Sequence, residues 1–218
     1  MCDASEIIKT KKDLLLLNGS LTVMPQDLDK RVERSRRLLM ETLLQLMSET
    51  AYSKISVANI CERSGVARPT FYLHYHSKDD LLKGYIESMF IKFYEQVEDY
   101  LVRSTQADPV IAEIMFRQWS DNAGLAQLLV GNDVEALVLN EFKRYVARIM
   151  ERYISAHNLS VKESARMNYV VDFIAGASFA VIVRWVREGF PVDAREMGQL
   201  YASLVRPGLL QVLLMGKL

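Results

Sequence analysis

Cysteine is scarce in this chain of 218 residues, which has only two. Cys2 and Cys61 are too few for a disulfide framework and lie too far apart for a metal-binding or redox motif. This usage is typical of a protein kept in a reducing compartment, so we expect a cytoplasmic location.

Long apolar runs are also missing. The longest apolar-rich stretch without a charge, residues 173–183, has eleven residues, whereas a membrane-spanning helix needs about 20. Asp3, Glu6 and Asp13 precede or flank the short leucine run at residues 14–17, which is unlike a signal peptide. We therefore expect neither a membrane span nor a membrane partner.

Strand patterns are absent too. Strict alternation of apolar and polar residues never reaches strand length with turn residues at both ends. Apolar residues recur instead at helical spacing, and four of the five prolines stand where helices are expected to begin or end. Half of the residues are hydrophobic and a quarter are charged, which is ordinary for a globular protein and excludes disorder for most of the chain. The sequence predicts an all-α fold.

Capping and turn residues predict the helix bounds. Ser56 is a candidate N-cap, Gly65 a turn residue, and Pro207 with Gly208 a break near the C-terminus. Capping-box patterns begin at Ser77, Ser160 and Asp193. Besides a possible short helix around residues 5–16, the predicted helices cover about 30–50, 56–65, 68–75, 78–103, 109–119, 121–130, 133–157, 161–188 and 194–205.

The net charge of zero conceals an uneven distribution. Residues 29–78 carry nine Lys/Arg against five Asp/Glu, whereas residues 79–218 carry 15 against 18. A small basic segment on a mildly acidic body indicates an anionic partner for that segment.

The informative stretch is residues 55–78, ISVANICERSGVARPTFYLHYHSK. A first short helix directs Val57, Ile60 and Cys61 inward, and Gly65 provides the conformation that a tight turn needs. A second helix begins near Arg68. Two short helices joined by such a turn form a helix-turn-helix, whose second helix is narrow enough to enter a DNA major groove.

Residues 29–89 resemble the DNA-binding domain of the tetracycline-repressor (TetR-type) family of bacterial transcription regulators. The C-terminal body resembles one branch of the family's regulatory domains. The resemblance implies an arm at 1–28, a three-helix helix-turn-helix domain at 29–78, and a helical ligand-binding and dimerisation domain at 79–218. The matching residues are Ile60, Ser64, Gly65, Val66, Arg68, Pro69, Thr70, Phe71, Tyr72, His74, Tyr75, Ser77, Lys78, Leu81 and Leu82.

The resemblance also implies roles in DNA binding, which the residue types can fill. Arg68 can donate to O6 and N7 of a guanine, and Thr70 suits a thymine methyl group. Lys78 adds its charge to the N-terminus of a long helix at a phosphate. Phe71 and Tyr75 are expected in the core. The predicted DNA-binding residues are Ser56, Arg68, Pro69, Thr70, Tyr72, Leu73, His74 and Lys78.

Family members often bind an apolar small molecule among the helices of the body. Most aromatic and methionine residues there are expected in the core, and some are expected to line a ligand cavity. The helices near 161–188 and 194–205 resemble the family's dimer-forming arrangement, although packing within one chain explains the small residues at 176–180 nearly as well. The predicted ligand-binding residues are Met89, Phe93, Phe116, Trp119, Phe142, Tyr145 and Phe173.

Other kinds of site are disfavoured by spacing. His74 and His76 are two apart on a helix and do not face each other, so we predict no metal. Cys61 suits a small core position, with a redox role as the alternative. We find no nucleophile–base pair and no phosphate-cradling glycine loop, and predict that the chain is not an enzyme and carries no cofactor.

The function predicted from these observations is a sequence-specific, DNA-binding transcriptional regulator. We expect a homodimeric repressor that a small apolar or amphipathic ligand releases from its operator. The alternative left open is a DNA-binding protein of the same fold without a small-molecule ligand, acting as an activator, an architectural factor or a partner-controlled regulator.

Overall fold

The computed structural model describes residues 25–103, 109–157 and 164–214. Within these ranges all regular structure is helical, with no strand, which confirms the all-α prediction. A short 3-10 helix at Tyr52–Lys54 follows the first α-helix. The α-helices are α1 (Pro25–Glu49), α2 (Val57–Ser64), α3 (Arg68–His74), α4 (Lys78–Arg103), α5 (Pro109–Asp121), α6 (Ala123–Val130), α7 (Glu135–Ala156), α8 (Ser164–Arg187) and α9 (Ala194–Leu214).

Side-chain caps determine where several of these helices begin. Ser56 and Asn59 form a capping box before α2, in which Ser56 Oγ accepts from the backbone N–H of Asn59. Ser77 Oγ accepts from Asp80 N–H at 3.1 Å before α4, and Asp193 caps α9. The predicted box at residues 160–163 and the predicted helix at 5–16 lie outside the described residues.

Backbone conformation ends α2 and α8 at glycines. Gly65 has φ +69° after α2, as the predicted turn requires. At the end of α8, Gly189 has φ +74° and donates to Val186 O, while Phe190 donates to Trp185 O. This pair of bonds is a Schellman motif, and the ring contact between Trp185 and Phe190 at 4.8 Å supplies its apolar seal.

Two helix bounds differ from prediction by more than about three residues. α1 begins at Pro25, where proline is tolerated because a first-turn N–H has no partner within the helix. The predicted break at Pro207 is wrong, since α9 continues through this residue to Leu214. A proline inside a helix removes one hydrogen bond and crowds one carbonyl, and a helix can continue beyond that defect.

By its contacts the chain divides between residues 36 and 37. In the first unit, the described residues 25–36 are the early turns of α1. The second unit contains the remaining described residues, whose principal helix pairs are α5 with α9, α4 with α7, and α7 with α8. Fully buried side chains run from the helix-turn-helix into the body: Leu39, Leu43, Ile60, Phe71, Leu81, Leu82, Ile86, Leu101, Phe116, Leu129, Phe142 and Ile182.

One segment, Met167–Arg187 of α8, has the length and hydropathy of a membrane-crossing helix. It is longer than the eleven-residue stretch without a charge, because it includes Asp172 and Arg184. Ala175, Ile182 and Trp185 of this segment are buried against other helices of the fold. Core helices of soluble proteins have the same composition, so this observation is weak support for a membrane span.

Candidate DNA-binding face and ligand cavity

Helix α3 has one buried face and one exposed face. Phe71 and Tyr75 are buried, as predicted, and their rings lie 5.9 Å apart in the core. On the opposite face Tyr72 is 55% exposed and Leu73 is 80% exposed. Arg68 is exposed at the N-terminal end of the helix. An arginine, a tyrosine hydroxyl and an apolar side chain therefore share a surface narrow enough for a major groove.

The remaining predicted contacts flank this face. Pro69 is exposed, whereas Thr70 and His74 are half-buried. Ser56 lies at the start of α2, where its hydroxyl is already used in the capping box. Ala67, the N-cap of α3, makes no side-chain cap, as predicted from its residue type.

Lys78 has internal partners that the sequence did not indicate. Its Nζ donates to the backbone oxygens of Tyr52 at 2.7 Å and Ile55 at 2.8 Å. The same ammonium lies 4.3 Å from the centre of the Tyr52 ring. Lys78 thus fastens the start of α4 to the 3-10 helix, and its predicted phosphate contact stays a prediction.

Two further contacts hold the helix-turn-helix in place. Tyr52 donates its phenol proton to Asp79 at 2.5 Å, and burial, followed by this carboxylate, raises the pKa of Tyr52. Arg63 of α2 forms a bidentate ion pair with Glu49 at the end of α1, with one N–O distance of 2.5 Å. The hydrogen bond from Arg63 lowers the pKa of Glu49.

The body contains a cavity of about 130 Å³ between α4, α5, α7, α8 and α9. Among the residues that the structure describes, its wall contains no charged side chain. At one place Ser178 Oγ donates to Ile174 O, and Tyr201 OH lies 2.5 Å from the same Oγ. The wall residues are Leu101, Ile111, Ala112, Met115, Tyr145, Val146, Ile149, Met150, Tyr153, Ile174, Ser178, Tyr201, Ala202 and Val205.

Of the seven predicted ligand-binding residues, the structure places only Tyr145 in this wall. Five others are buried in the core but are not wall residues: Met89, Phe93, Phe116, Trp119 and Phe142. Some of these rings support the wall from behind. The Phe142 ring stacks on Tyr145 with centroids 5.9 Å apart, and Phe116 contacts Tyr201 at 5.9 Å.

The assignment of Phe173 to the cavity requires correction. Its side chain is 69% exposed on the outer surface of α8, whereas Ile174 and Ser178 of the same helix line the cavity. Hydrophobicity marked the residue as a candidate, but its position around the helix turns it away from the cavity. Tyr201 and Ser178 were missed, because a hydroxyl pair 23 residues apart has no local sequence signal.

Two family models match the chain. One, described as bacterial regulatory proteins of the tetR family, matches residues 39–85, and the other, described as a transcriptional regulator C-terminal region, matches residues 109–207. Together they cover about two thirds of the chain. The chain belongs to the TetR family.

Individual relatives agree with this assignment. The HTH-type transcriptional regulator EthR of Mycolicibacterium smegmatis is 26% identical over 69% of this chain and 70% of its own length. The HTH-type transcriptional repressor KstR2 of Mycobacterium tuberculosis is 24% identical over 82% of this chain and 94% of its own. The fold is also similar to that of the transcriptional regulator FadR from Bacillus subtilis, solved in complex with stearoyl-CoA, with a TM-score of 0.57 and 17% identity over 79% of this chain and 98% of the other.

This TetR-family chain also has an exposed apolar surface on its last two helices. Tyr169 and Phe173 are one helical turn apart on α8, and Leu200 and Leu204 are one turn apart on α9. All four are exposed, with Tyr169 at 77% and Leu204 at 71%. These four residues are called the α8/α9 surface below. Exposed apolar patches of this kind mark interaction sites.

The described part of this TetR-family chain offers little basis for a metal-binding site or a reactive cysteine. No group of three His, Cys, Asp or Glu side chains there could hold a metal ion. Cys61 is a free, buried cysteine in the core of the helix-turn-helix. Burial raises the pKa of its thiol, against a smaller opposing effect of Arg68. A raised pKa leaves less of the reactive thiolate.

Proposed function

We propose that this TetR-family chain is a homodimeric transcriptional repressor, which a small apolar ligand in the body releases from its operator. The observation that carries the DNA-binding part is the division of α3. Phe71 and Tyr75 fix one face in the core, while Arg68, Tyr72 and Leu73 remain outside. The residues at 29–78 form the DNA-binding part of this proposal, and those at 79–218 form the ligand-binding and dimerisation part.

The DNA contacts in this proposal are those predicted from the motif. Arg68 donates to a guanine edge, Tyr72 and His74 contact phosphates, and Pro69, Thr70 and Leu73 lie against bases or sugar. Ser56 and Lys78 are phosphate contacts from neighbouring helix starts. In a dimer, two copies of α3 enter successive major grooves on one side of the DNA, about 34–36 Å apart or a multiple of that distance.

The α8/α9 surface supports dimerisation. Four exposed apolar side chains at one-turn spacing on two adjacent helices provide the centre of a two-fold interface, in which each copy presents the same surface. The interface would use the helices that the sequence predicted for this purpose. Phe173, which does not line the cavity, has its role here.

The cavity supports control by a ligand, and α4 is the element that links it to DNA binding. Leu101 lies in the cavity wall near the end of α4, and Lys78 holds the start of this helix to the 3-10 helix beside α2. The two residues are about 35 Å apart along the helix axis. A ligand that favours one position of α4 changes the separation of the two copies of α3 in the dimer. Spin labels on the two copies of α3 would measure that separation with and without ligand.

Regulation without a small molecule is the second candidate, but the cavity does not favour it.

The names of the relatives are those of transcriptional regulators, and no enzymatic role is proposed for this chain. Binding to intracellular DNA places the proposed site of action in the cytoplasm.

The first experiment measures binding of the purified chain to its own upstream DNA by fluorescence anisotropy across a salt series. The variants are Arg68→Ala and Tyr72→Phe. Lys92→Ala is the matched control, because Lys92 is an exposed cation of α4 about 21 Å along the helix axis from Lys78. We expect Arg68→Ala to lose about 1–3 kcal/mol on specific DNA only, and Tyr72→Phe to weaken binding to all DNA.

Absence of binding to any DNA at low salt, from a folded dimer, would contradict the proposal. Equal losses for Arg68→Ala on specific and random DNA would contradict the base contact but leave a phosphate contact. Lys92→Ala is expected to bind like the unmodified chain.

A further inference from the structure

The turn between α6 and α7 carries a side chain that reaches the elements next to the helix-turn-helix. Asn132 in this turn accepts a hydrogen bond from Tyr52 N–H at 3.0 Å and donates to Met47 O at 3.2 Å. Both partners are backbone atoms, one in the 3-10 helix and the other in α1. These atoms cannot leave the amide unless the elements that contain them move. The two bonds therefore tie α1 and the 3-10 helix to the turn.

The turn holds Asn132 at a defined position at the start of α7. Its amide also donates to Leu128 O at 2.9 Å near the end of α6, so its oxygen and its nitrogen are both engaged. Asp133 has φ +56°, a left-handed conformation that is uncommon outside glycine. Val134 is 2% exposed, and its carbonyl accepts from Val138 N–H at 3.1 Å in the first turn of α7. Asn132 is therefore a fixed extension of α7.

Helix α7 is in turn paired with α8, which carries half of the α8/α9 surface. Lys143 Nζ lies 2.8 Å from a carboxylate oxygen of Asp172, and Arg187 donates to Glu135 at 2.5 Å. Such partly exposed ion pairs contribute little energy each, but they show which residues of the two helices face each other. Asp172 is the sequence neighbour of Phe173. Helix α7 thus runs from the Asn132 turn to the proposed dimer surface.

Buried packing makes the attachment of α7 to α8 firm. Phe142 of α7 and Phe179 of α8 are both buried, with ring centroids 6.0 Å apart. Sliding one helix along the other would open space in a close-packed core, which is unfavourable. We therefore expect α7 and α8 to move as one body.

These contacts connect the DNA-binding part to the proposed dimer surface through α7, in addition to the connection through α4. One extra base pair between two half-sites moves them about 3.4 Å further apart and rotates one relative to the other by about 34–36°. A dimer can follow this change only if its helix-turn-helix turns relative to α8. Such a turn stretches the bonds that Asn132 makes to Met47 and Tyr52.

We propose that Asn132 is a positioning residue for operator recognition, which restricts the half-site spacing that the dimer accepts. It acts through α1 and the 3-10 helix. A site of the wrong spacing is bound only when the bonds to Met47 and Tyr52 are stretched or broken, so their free energy adds to the discrimination between spacings. This inference rests on the proposed function, because it needs a dimer that binds an operator.

The test compares three duplexes that differ only in half-site spacing. The operator is first located by footprinting on the upstream DNA, and two further duplexes lengthen or shorten its centre by one base pair. Fluorescence anisotropy measures the affinity of each variant for all three. We expect the unmodified chain to bind its own spacing at least about tenfold more tightly than either altered one, within the range of coupling that links distant parts of a protein.

Asn132→Ala is expected to reduce this ratio by about fivefold or more, a factor that one hydrogen bond can supply. The ratio is the informative quantity, because a general loss of stability lowers the affinity for all three duplexes equally. Asn132→Asp keeps an acceptor for Tyr52 N–H but loses the donor to Met47 O, so an intermediate ratio is expected. Asn140→Ala, at an exposed position of α7, is the matched control and should retain the full ratio.

Two results would overturn the inference: an unchanged ratio in both Asn132 variants, or equal binding of the three spacings by the unmodified chain. If Asn132→Ala does not fold, the ratio of Asn132→Asp decides. Specific binding by a dimer together with either result leaves the regulator and removes the role of Asn132. Absence of specific binding by the unmodified chain instead removes the proposed function, and this inference with it.

Discussion

The side chain of Asn132 accepts a hydrogen bond from the backbone N–H of Tyr52 at 3.0 Å. Its amide nitrogen also donates to Met47 O at 3.2 Å and to Leu128 O at 2.9 Å. Asn132 lies between α6 and α7 in the body, whereas Met47 and Tyr52 belong to α1 and the 3-10 helix beside the helix-turn-helix. One amide thus joins the part of the chain that carries the cavity to the part that carries α3.

We expect Asn132→Ala to lower the free energy of unfolding by about 1–3 kcal/mol, because it leaves Tyr52 N–H and two carbonyls without these partners. Denaturant unfolding followed by circular dichroism measures the change. Asn140→Ala, at an exposed position of α7, is the matched control and should change little. Equal stability of the two variants would mean that water replaces the amide without loss.

Lys78→Met is expected to reduce stability by about 1.5–3 kcal/mol, because two hydrogen bonds from a charged donor to Tyr52 O and Ile55 O are lost. The same variant tests the predicted phosphate contact. If Lys78 contacts a phosphate, its replacement should reduce the slope of log affinity against log salt concentration by about one. An unchanged slope would assign this lysine to the internal contacts alone.

Gly198→Ala is expected to destabilise the body by about 1–3 kcal/mol through overpacking. A Cβ atom at Gly198 would lie 2.5 Å from the backbone nitrogen of Glu113 and 2.6 Å from its Cα, and neither atom can move without displacing α5. Thermal unfolding measures the effect. For comparison, Gly124→Ala has no atom within 4 Å of the added carbon and should be neutral or stabilising. A tolerated alanine at 198 would contradict the close approach of α5 and α9.

The ion pair of Glu49 and Arg63 predicts a specific dependence of stability on pH. Its hydrogen bond lowers the pKa of Glu49 below the ordinary value of 4.5 in the folded state. The unfolded state therefore binds this proton first, so the stabilisation is present above about pH 4.5 and disappears as the pH falls through the lower, folded-state pKa.

The measurement compares Glu49→Gln with the unmodified chain by denaturant unfolding, at pH values from neutral to below 4.5. We expect a difference in stability that is constant near neutrality and shrinks below pH 4.5. Glu62→Gln, at an exposed glutamate of α2, is the control. A difference that does not change with pH would show that the glutamate acts through packing and not through charge.

Phe173→Glu is expected to weaken the proposed dimer by about 30-fold or more, the effect of losing a central interface residue worth about 2 kcal/mol. Sedimentation velocity over a concentration series measures the dissociation constant, and operator affinity should fall with it. Tyr100→Glu, at an exposed aromatic of α4, controls for the added charge. Retention of the dimer in the Phe173 variant would remove the α8/α9 surface from the interface.

Most helix bounds could be predicted because they depend on local chemistry. Ser56, Gly65 and Asp193 act on atoms within three residues of themselves, so their effect can be read from neighbouring letters. Pro207 misled the prediction, because the loss of one helical hydrogen bond does not by itself decide whether a helix continues. The burial of Phe71 could also be predicted locally, from its position on the short helix α3.

The candidate site was less predictable, because its contacts join distant parts of the chain. Asn132 and Tyr52 are 80 residues apart, and Ser178 and Tyr201 are 23 apart. Hydrophobicity made Phe173 a candidate for the cavity but did not reveal that its side chain is exposed on the outer surface of α8. The sequence predicts a phosphate contact for Lys78 but does not indicate that its ammonium donates to the carbonyl groups of Tyr52 and Ile55.

Trp185, near the C-terminal end of α8, gives this chain an intrinsic fluorescent probe. Trp185 donates from its indole to Val192 O at 2.8 Å, and its ring meets Phe116 at 5.4 Å. Phe116 in turn contacts Tyr201 in the cavity wall. The chain has only two tryptophans, Trp119 and Trp185, and both are buried in the body. Tryptophan emission therefore originates inside the body, with Trp185 one ring away from the cavity wall residue Tyr201, and we expect filling of the cavity to change that emission in unlabelled protein.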